Sequence, residues 1–181
     1  MKKLCLLFIV YSLLIIAPWF AFPVYAGYVL PYPSFMPGNK IYKISRIIDS
    51  IGNWWNFGSI TQVKYHLKLS DKYLVESKTL FEYQQYLLAY DALSRSNSEF
   101  LKIPAYRARA WQEGKDIRYL EDIVLSAAKK HTEVLTSLGL SVPTSFLWVP
   151  EKSQSTQLDL QVLMSTSIDV RNQVIRDISS Q

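Results

Sequence analysis

Few side chains in this chain could do chemistry. It holds two histidines, His66 and His131, and a single cysteine, Cys5. A helical metal pair needs a second histidine or a carboxylate three or four residues away. Those positions carry Gln62, Val63, Leu69 and Ser70 around His66, and Ala127, Ala128, Val134 and Leu135 around His131. A metal could then be held only between helices, and no metal or cofactor site is expected. Cys5 sits in an N-terminal apolar run, which removes thiolate catalysis and cysteine–zinc sites from the rest of the chain. The six glycines never come closer than Gly52 and Gly58, so there is no phosphate-cradling loop, and no G-x-S-x-G elbow occurs. Glu121 and Asp122 are adjacent and diverge on a helix, whereas acid–base work needs carboxylates aimed at one point. No catalytic residue is expected, and the chain reads as a non-enzyme.

The remaining candidates are aromatic, basic or buried polar. Trp54 and Trp55 point about 100° apart if helical. One is expected to plug the end of the fold, and exposed together they would mark a partner or lipid contact. Tyr83, Tyr86 and Tyr90 form a stripe, read as half-buried packing with a glycan platform as the alternative. Lys64, Lys68 and Lys72 step by four, with Glu76 continuing the row, and read as a solvated face in which Lys72 pairs with Glu76. His131 falls on an apolar seam. The expectation is a buried histidine bonded to one polar group such as Asn97 or a tyrosine hydroxyl, so that leucine would be tolerated there. A pH-sensitive latch is the sharper alternative. His66 lies beside its seam and reads as a boundary residue.

The elements that must position these groups are helical. Asn39 can cap a first helix with Ile41, Ile44, Ile47, Ile48 and Ile51 on one face. From Ser59, residues Ile60, Val63, Leu67, Ser70, Leu74, Ser77 and Phe81 recur in 3-4 steps, a seam facing other helices. A third helix from about Glu82 repeats Tyr83, Leu87, Tyr90, Ser94, Asn97 and Leu101, with Pro104 expected to kink or interrupt it. Asp116 can cap a fourth, with Ile117, Leu120, Val124, Ala127, His131, Val134 and Leu138 as its seam and Gly139 closing it. Residues 141–152 read as an apolar strap, and Ser153 to Thr156 offer caps for a last helix to about Ile178. The predicted fold is all-α: an antiparallel bundle of about four main helices plus a short leading one, preceded by a Pro-rich extended segment.

The chain also states an address. Met1-Lys2-Lys3, the run Leu4 to Ile16 and Val24-Tyr25-Ala26 follow the pattern of a signal peptide cut after Ala26. The alternative is an uncleaved anchor from Leu4 to Val24. The expected organisation is residues 1–26 as signal, 27–38 as the Pro-rich segment and 39–181 as the helical domain. Hydrophobic residues make up 49% and charged residues 19%, which excludes a disordered chain and a polytopic membrane protein. The net charge of +5 admits a polyanion, but export argues against nucleic acid.

Leu30-Pro31-Tyr32-Pro33, Pro37, Tyr42-Lys43, Tyr65-His66-Leu67 and the His131 to Leu135 step resemble a bacterial domain family of unknown function, common in exported proteins of candidate-phyla bacteria. The likeness covers roughly residues 30–140. Gly38-Asn39 departs from the family's acid-containing step. The resemblance implies export and a helical fold and carries no reaction. Pro31, Tyr32, Pro33, Trp54 and Trp55 are the candidate contact residues, and His131 and Asn97 the candidate buried polar pair. The expected function is an extracytoplasmic interaction or structural module of the cell envelope. Its expected partner is an envelope protein or cell-wall polymer, with a membrane only if the N-terminal segment is uncleaved. A periplasmic-type chaperone or stress sensor and a cell-wall-directed enzyme are the alternatives.

Overall fold

The computed structural model describes residues 27–33, 40–152 and 154–180. The expected signal segment (residues 1–26), Phe35, Met36, the expected Asn39 cap and Ser153 lie outside them, as do the side chains of Ile41 and Trp54. Among the described residues six helices and one hairpin follow in order: α1 (Lys40–Trp55), α2 (Ser59–Glu82), α3 (Tyr86–Phe100), α4 (Ile103–Gln112), α5 (Arg118–Ser141), β1 (Ser145–Trp148), β2 (Thr156–Asp159) and α6 (Leu160–Ser179). Helices α2, α3, α5 and α6 make the bundle. A short connection folds α2 against α3, the hairpin joins α5 to α6, α3 packs on α6 and α2 on α5, α4 closes one end, and α1 lies along α2.

Two apolar clusters fill the bundle. One gathers Leu74, Phe81, Leu93, Leu135, Leu160 and Met164, and Leu30 of the N-terminal segment packs on it. The other gathers Val63, Phe100, Ile103, Val124 and Val174, with Tyr28 against it. Between them, every bundle helix contributes a buried polar residue: Ser70 and Asp71 from α2, Ser96 from α3, His131 from α5, Ser167 and Arg171 from α6. The apolar halves supply the burial that drives folding, and the polar layer fixes how they align.

The α2 seam lies in the core as its spacing predicts, from Val63 to Phe81. The α3 seam does not. The left-handed Gln84 (φ 59°) breaks the chain, so α3 starts at Tyr86 and Tyr83 stands exposed outside it. The face of α3 turned inward is Ala89, Ala92, Leu93, Ser96 and Phe100. The reason is close approach. Ser77 Oγ donates to the Ala89 carbonyl at 3.1 Å, and Ser70 and Ser96 exchange side-chain-to-backbone bonds of 3.0 and 2.9 Å. Only small residues fit where two backbones come so near, so Tyr86 and Tyr90 stay half-buried at the rim.

Pro104 sits in the first turn of the separate helix α4, where its missing N–H leaves no bond unmade. Helix α5 runs through Gly139 to Ser141. The expected strap is instead an antiparallel hairpin pairing Ser145 with Asp159 and Trp148 with Thr156, and Phe146 packs on Tyr86 at 5.0 Å. Asp159, not the 153–156 run, caps the last helix by accepting from the Val162 N–H at 3.0 Å.

Because Leu74 is fully buried in the first cluster, Leu74→Ala is expected to lower unfolding stability by about 2–5 kcal/mol. The exposed Leu140, changed to Ala, should stay within about 0.5 kcal/mol. Urea unfolding of the two variants checks both values.

Candidate functional site

The polar layer is the first place to look for chemistry. His131 is fully buried, and its Nε2 lies 2.7 Å from Asp71 Oδ1. Its Nδ1 faces Arg171 Nε at 3.4 Å. A guanidinium has donors only, so Nδ1 must accept and the proton must sit on Nε2, donating to Asp71. Both ring nitrogens are thereby used, and the imidazole is neutral. Burial pushes its pKa down, against the hydrogen bond it donates to Asp71, and the Arg171 charge pushes it down further. Arg171 spreads its other donors over Asn97 Oδ1, the Ser167 carbonyl at 3.2 Å and Ser96 Oγ at 2.7 Å, and Phe100 faces the guanidinium at 5.2 Å. Burial lowers the Arg171 pKa, and the Asp71 charge opposes that shift. At the outer end, Tyr28 of the N-terminal segment donates its hydroxyl to Asp71 Oδ2.

This Asp–His–Arg relay is not an acid–base centre. General acid or base work requires a ring nitrogen within reach of a substrate proton, and here both are committed to protein groups with no exposed edge. The arrangement instead neutralises a buried arginine and pins four helices and the N-terminal segment to one another.

A second histidine is also buried. His66 Nδ1 lies 2.6 Å from Glu99 Oε2, Lys102 holds the other Glu99 oxygen at 2.7 Å, and Tyr106 stacks on the ring at 5.0 Å. Burial raises the Glu99 pKa, but the His66 and Lys102 hydrogen bonds outweigh it, and the carboxyl ends below its usual range. His66 Nε2 has no partner among the described residues. The boundary expectation for His66 therefore gives way to a core position, since the 3-4 stepping puts it on the side of α2 facing α4.

One hollow carries paired charges. It has a volume of about 520 Å³ and is lined by Asp116, Glu121 and three basic residues. Glu121 is bound to Arg107 at 2.5 Å and Asp116 to Arg118 at 3.1 Å, so the two acids do not converge. Among the described residues no group of three or more acids, histidines or cysteines could hold a metal ion.

Helix α1 is mounted the other way round from an ordinary bundle helix. Its polar side meets α2: Tyr42 donates to Glu76 at 2.6 Å, Lys72 takes Ser45 at 2.9 Å and also Asp49, and Tyr65 donates to the Asp49 carbonyl beside Gly52. Burial raises the Glu76 pKa, partly opposed by Tyr42 and Lys72. The side turned away carries Ile44, Ile47, Ile48, Ile51 and Trp55, exposed by 56, 59, 62, 44 and 76%. Phe57, 80% exposed, extends the patch.

The sequence-derived candidates are thus dispersed. Tyr32 (93% exposed) and Pro31 point to solvent, Pro33 is half-buried, and the segment docks through Tyr28 and Leu30 instead. Trp55 does not plug the bundle but stands on the open face of α1. Lys72 bonds Ser45 and Asp49 rather than pairing with Glu76, because α1 brings those acceptors nearer. His131 bonds Asp71 rather than Asn97, and Asn97 is reached one step later through Arg171. Ser96, Ser167 and Arg171 were missed by the spacing argument. Leu160, Met164, Ser167, Arg171, Val174 and Ile178 follow 4-3-4-3-4, a register hidden when apolar residues alone are weighed. Comparison with family models, curated proteins and solved structures returns no match.

The relay changes what His131→Leu should do. Leucine would leave Asp71 Oδ1 and Arg171 Nε without their partner, a loss of roughly 3 kcal/mol or more. In the native protein the folded histidine pKa lies below the unfolded value of ~6.5. Its contribution is therefore full above that value and is lost as pH falls below it, until the folded pKa is passed. Urea melts between about pH 8 and about pH 5.5 should show this acid loss in the native chain and a smaller loss in the leucine variant.

Proposed function

We propose that the protein is an extracytoplasmic, envelope-associated interaction module, with the bundle as a rigid mount and α1 as the contact element. One observation carries the reading: α1 spends its polar side on α2 and turns a row of isoleucines and Trp55 outward. A monomeric fold gains nothing by exposing a contiguous apolar row, so such a row marks a surface meant to be covered. The signal-peptide pattern of residues 1–26 and the resemblance around Leu30-Pro31-Tyr32-Pro33 support export. The commitment of both His131 nitrogens and the pairing of Glu121 and Asp116 with arginines support a role without catalysis.

The test is cross-linking in producing cells. A photoreactive side chain in place of Ile48 should give adducts in the envelope fraction, while one in place of the exposed Ser137 should not. Absence of adducts at position 48, or adducts found only with cytosolic components, would overturn the reading.

A further inference from the structure

We propose that the cleft between α2 and α5 is a peptide-binding groove, filled in cis by residues 27–33. Its partner in trans is an extended acidic peptide with a tyrosine two positions before a leucine. This surface is separate from the open face of α1 and does not rest on it. Residues 27–33 form no helix or strand and lie across α2 and α5. Side chains of an extended chain alternate in direction. Tyr28 turns onto the cluster around Val63 and Leu120, Leu30 onto the cluster around Leu74 and Leu135, and Val29 between them is left exposed. The Tyr28 hydroxyl donates to Asp71 Oδ2. Among the described residues the backbone of the segment makes no hydrogen bond to the bundle. Two side chains thus carry the attachment, as anchors hold a docked peptide. If Tyr28 left, buried Asp71 would keep an acceptor unmatched. Whatever replaces the segment must bring a phenol to that oxygen and an apolar anchor two residues on.

Charge distinguishes the partner from the segment already seated. A hollow of about 460 Å³ stays open beside the segment, lined by Val29, by Lys64, Leu67 and Lys68 of α2, and by Tyr119 and Ile123 of α5. That volume lies in the range of ligand sites, about 300–1,000 Å³. Asp71 is the only acid on its wall, and both of its oxygens are taken, by His131 and Tyr28. Lys64 and Lys68 therefore line the hollow with no ion partner among the described residues. The seated segment, Gly-Tyr-Val-Leu-Pro-Tyr-Pro, brings no charged side chain to them. A second copy would bring the same uncharged segment and leave both lysines as they are. A carboxylate in the place of Val29, which already borders the hollow, would meet them while Tyr28 and Leu30 keep their anchoring roles. The cis segment is thus a placeholder that a partner of this chemistry outcompetes.

Displacement of the segment tests this on the full chain. In a Cys5→Ser background, Tyr32→Cys carries a fluorophore on the exposed part of the segment, and Ser137→Cys carries it on α5 as the control. Synthetic peptides of residues 27–33 are added, one with the native sequence and one with Val29→Glu. Displacement should lower the fluorescence anisotropy of the probe at position 32 and leave that at 137 unchanged. The native-sequence peptide competes with a tethered copy of itself and should act only at roughly millimolar concentration. The Val29→Glu peptide should act at a several-fold lower concentration. That advantage should vanish in the Lys64→Gln, Lys68→Gln chain and fade in high salt. Adding Tyr28→Phe to the acidic peptide should weaken it by roughly tenfold. No displacement by either peptide up to roughly ten millimolar, or a segment already free before peptide is added, would overturn the groove. Equal action of the two peptides, or an advantage that survives loss of both lysines, would overturn the acidic partner. A matching change at position 137 would mean that the bundle opens and would overturn the proposal as a whole.

Discussion

Arg171 has no exposed surface, and the rest of the bundle is arranged around that fact. A buried guanidinium without compensation costs several kcal/mol. Here Asp71 supplies the opposite charge, but it does so through His131, which donates to the carboxylate with one nitrogen and accepts from the arginine with the other. Ser96, Asn97 and the Ser167 carbonyl take the remaining donors. Helices α2, α3, α5 and α6 each hold one corner. A slip of any helix by one turn would leave a buried donor or acceptor unmatched, so the layer selects one alignment of two apolar clusters that by themselves would tolerate several.

That rigidity carries outward to the surface. Tyr28 ties the N-terminal segment to Asp71, and α2, held in place by the relay, presents Tyr65, Lys72 and Glu76 to α1. These groups bind the polar side of α1 and leave the isoleucines on the far side. Hydrophobicity alone would have turned α1 over. It stays as it is because Asp49, Tyr42 and Glu76 would otherwise lose their partners in a partly dry interface, and each unmade bond of that kind costs about 1–3 kcal/mol. The polar interior and the apolar exterior of this region are thus parts of one arrangement.

The sequence disclosed the fold better than the site. The 3-4 stepping from Val63 to Phe81 and from Ile117 to Leu138 reports burial directly, because a helix seam repeats with the helix. The hairpin at Ser145–Asp159 was hidden because two four-residue strands are too short for alternation to register. The α3 seam misled because tyrosines and leucines outweigh alanines in any apolar count, while backbone approach to Ser70 and Ser77 demands the alanines. His131 was found as a buried histidine, yet its partners were not, since Asp71 is 60 and Arg171 40 positions away and spacing along one helix says nothing about which helix faces it. Arg171 stood on a clean seam register but was passed over because a charged residue is seldom fully buried. The isoleucine row of α1 was legible as a face, but only the contacts of its polar side reveal that the row points outward.

The neutral relay is the claim on which this account turns, and the nitrogen resonances of His131 report it directly. Nitrogen-15 NMR of the histidine side chains across about pH 8 to about pH 5.5 distinguishes a protonated ring nitrogen from an unprotonated one. The predicted result is a protonated Nε2 and an unprotonated Nδ1 throughout that range. An imidazolium signal with both nitrogens protonated while the bundle stays folded, or a proton on Nδ1, would contradict it.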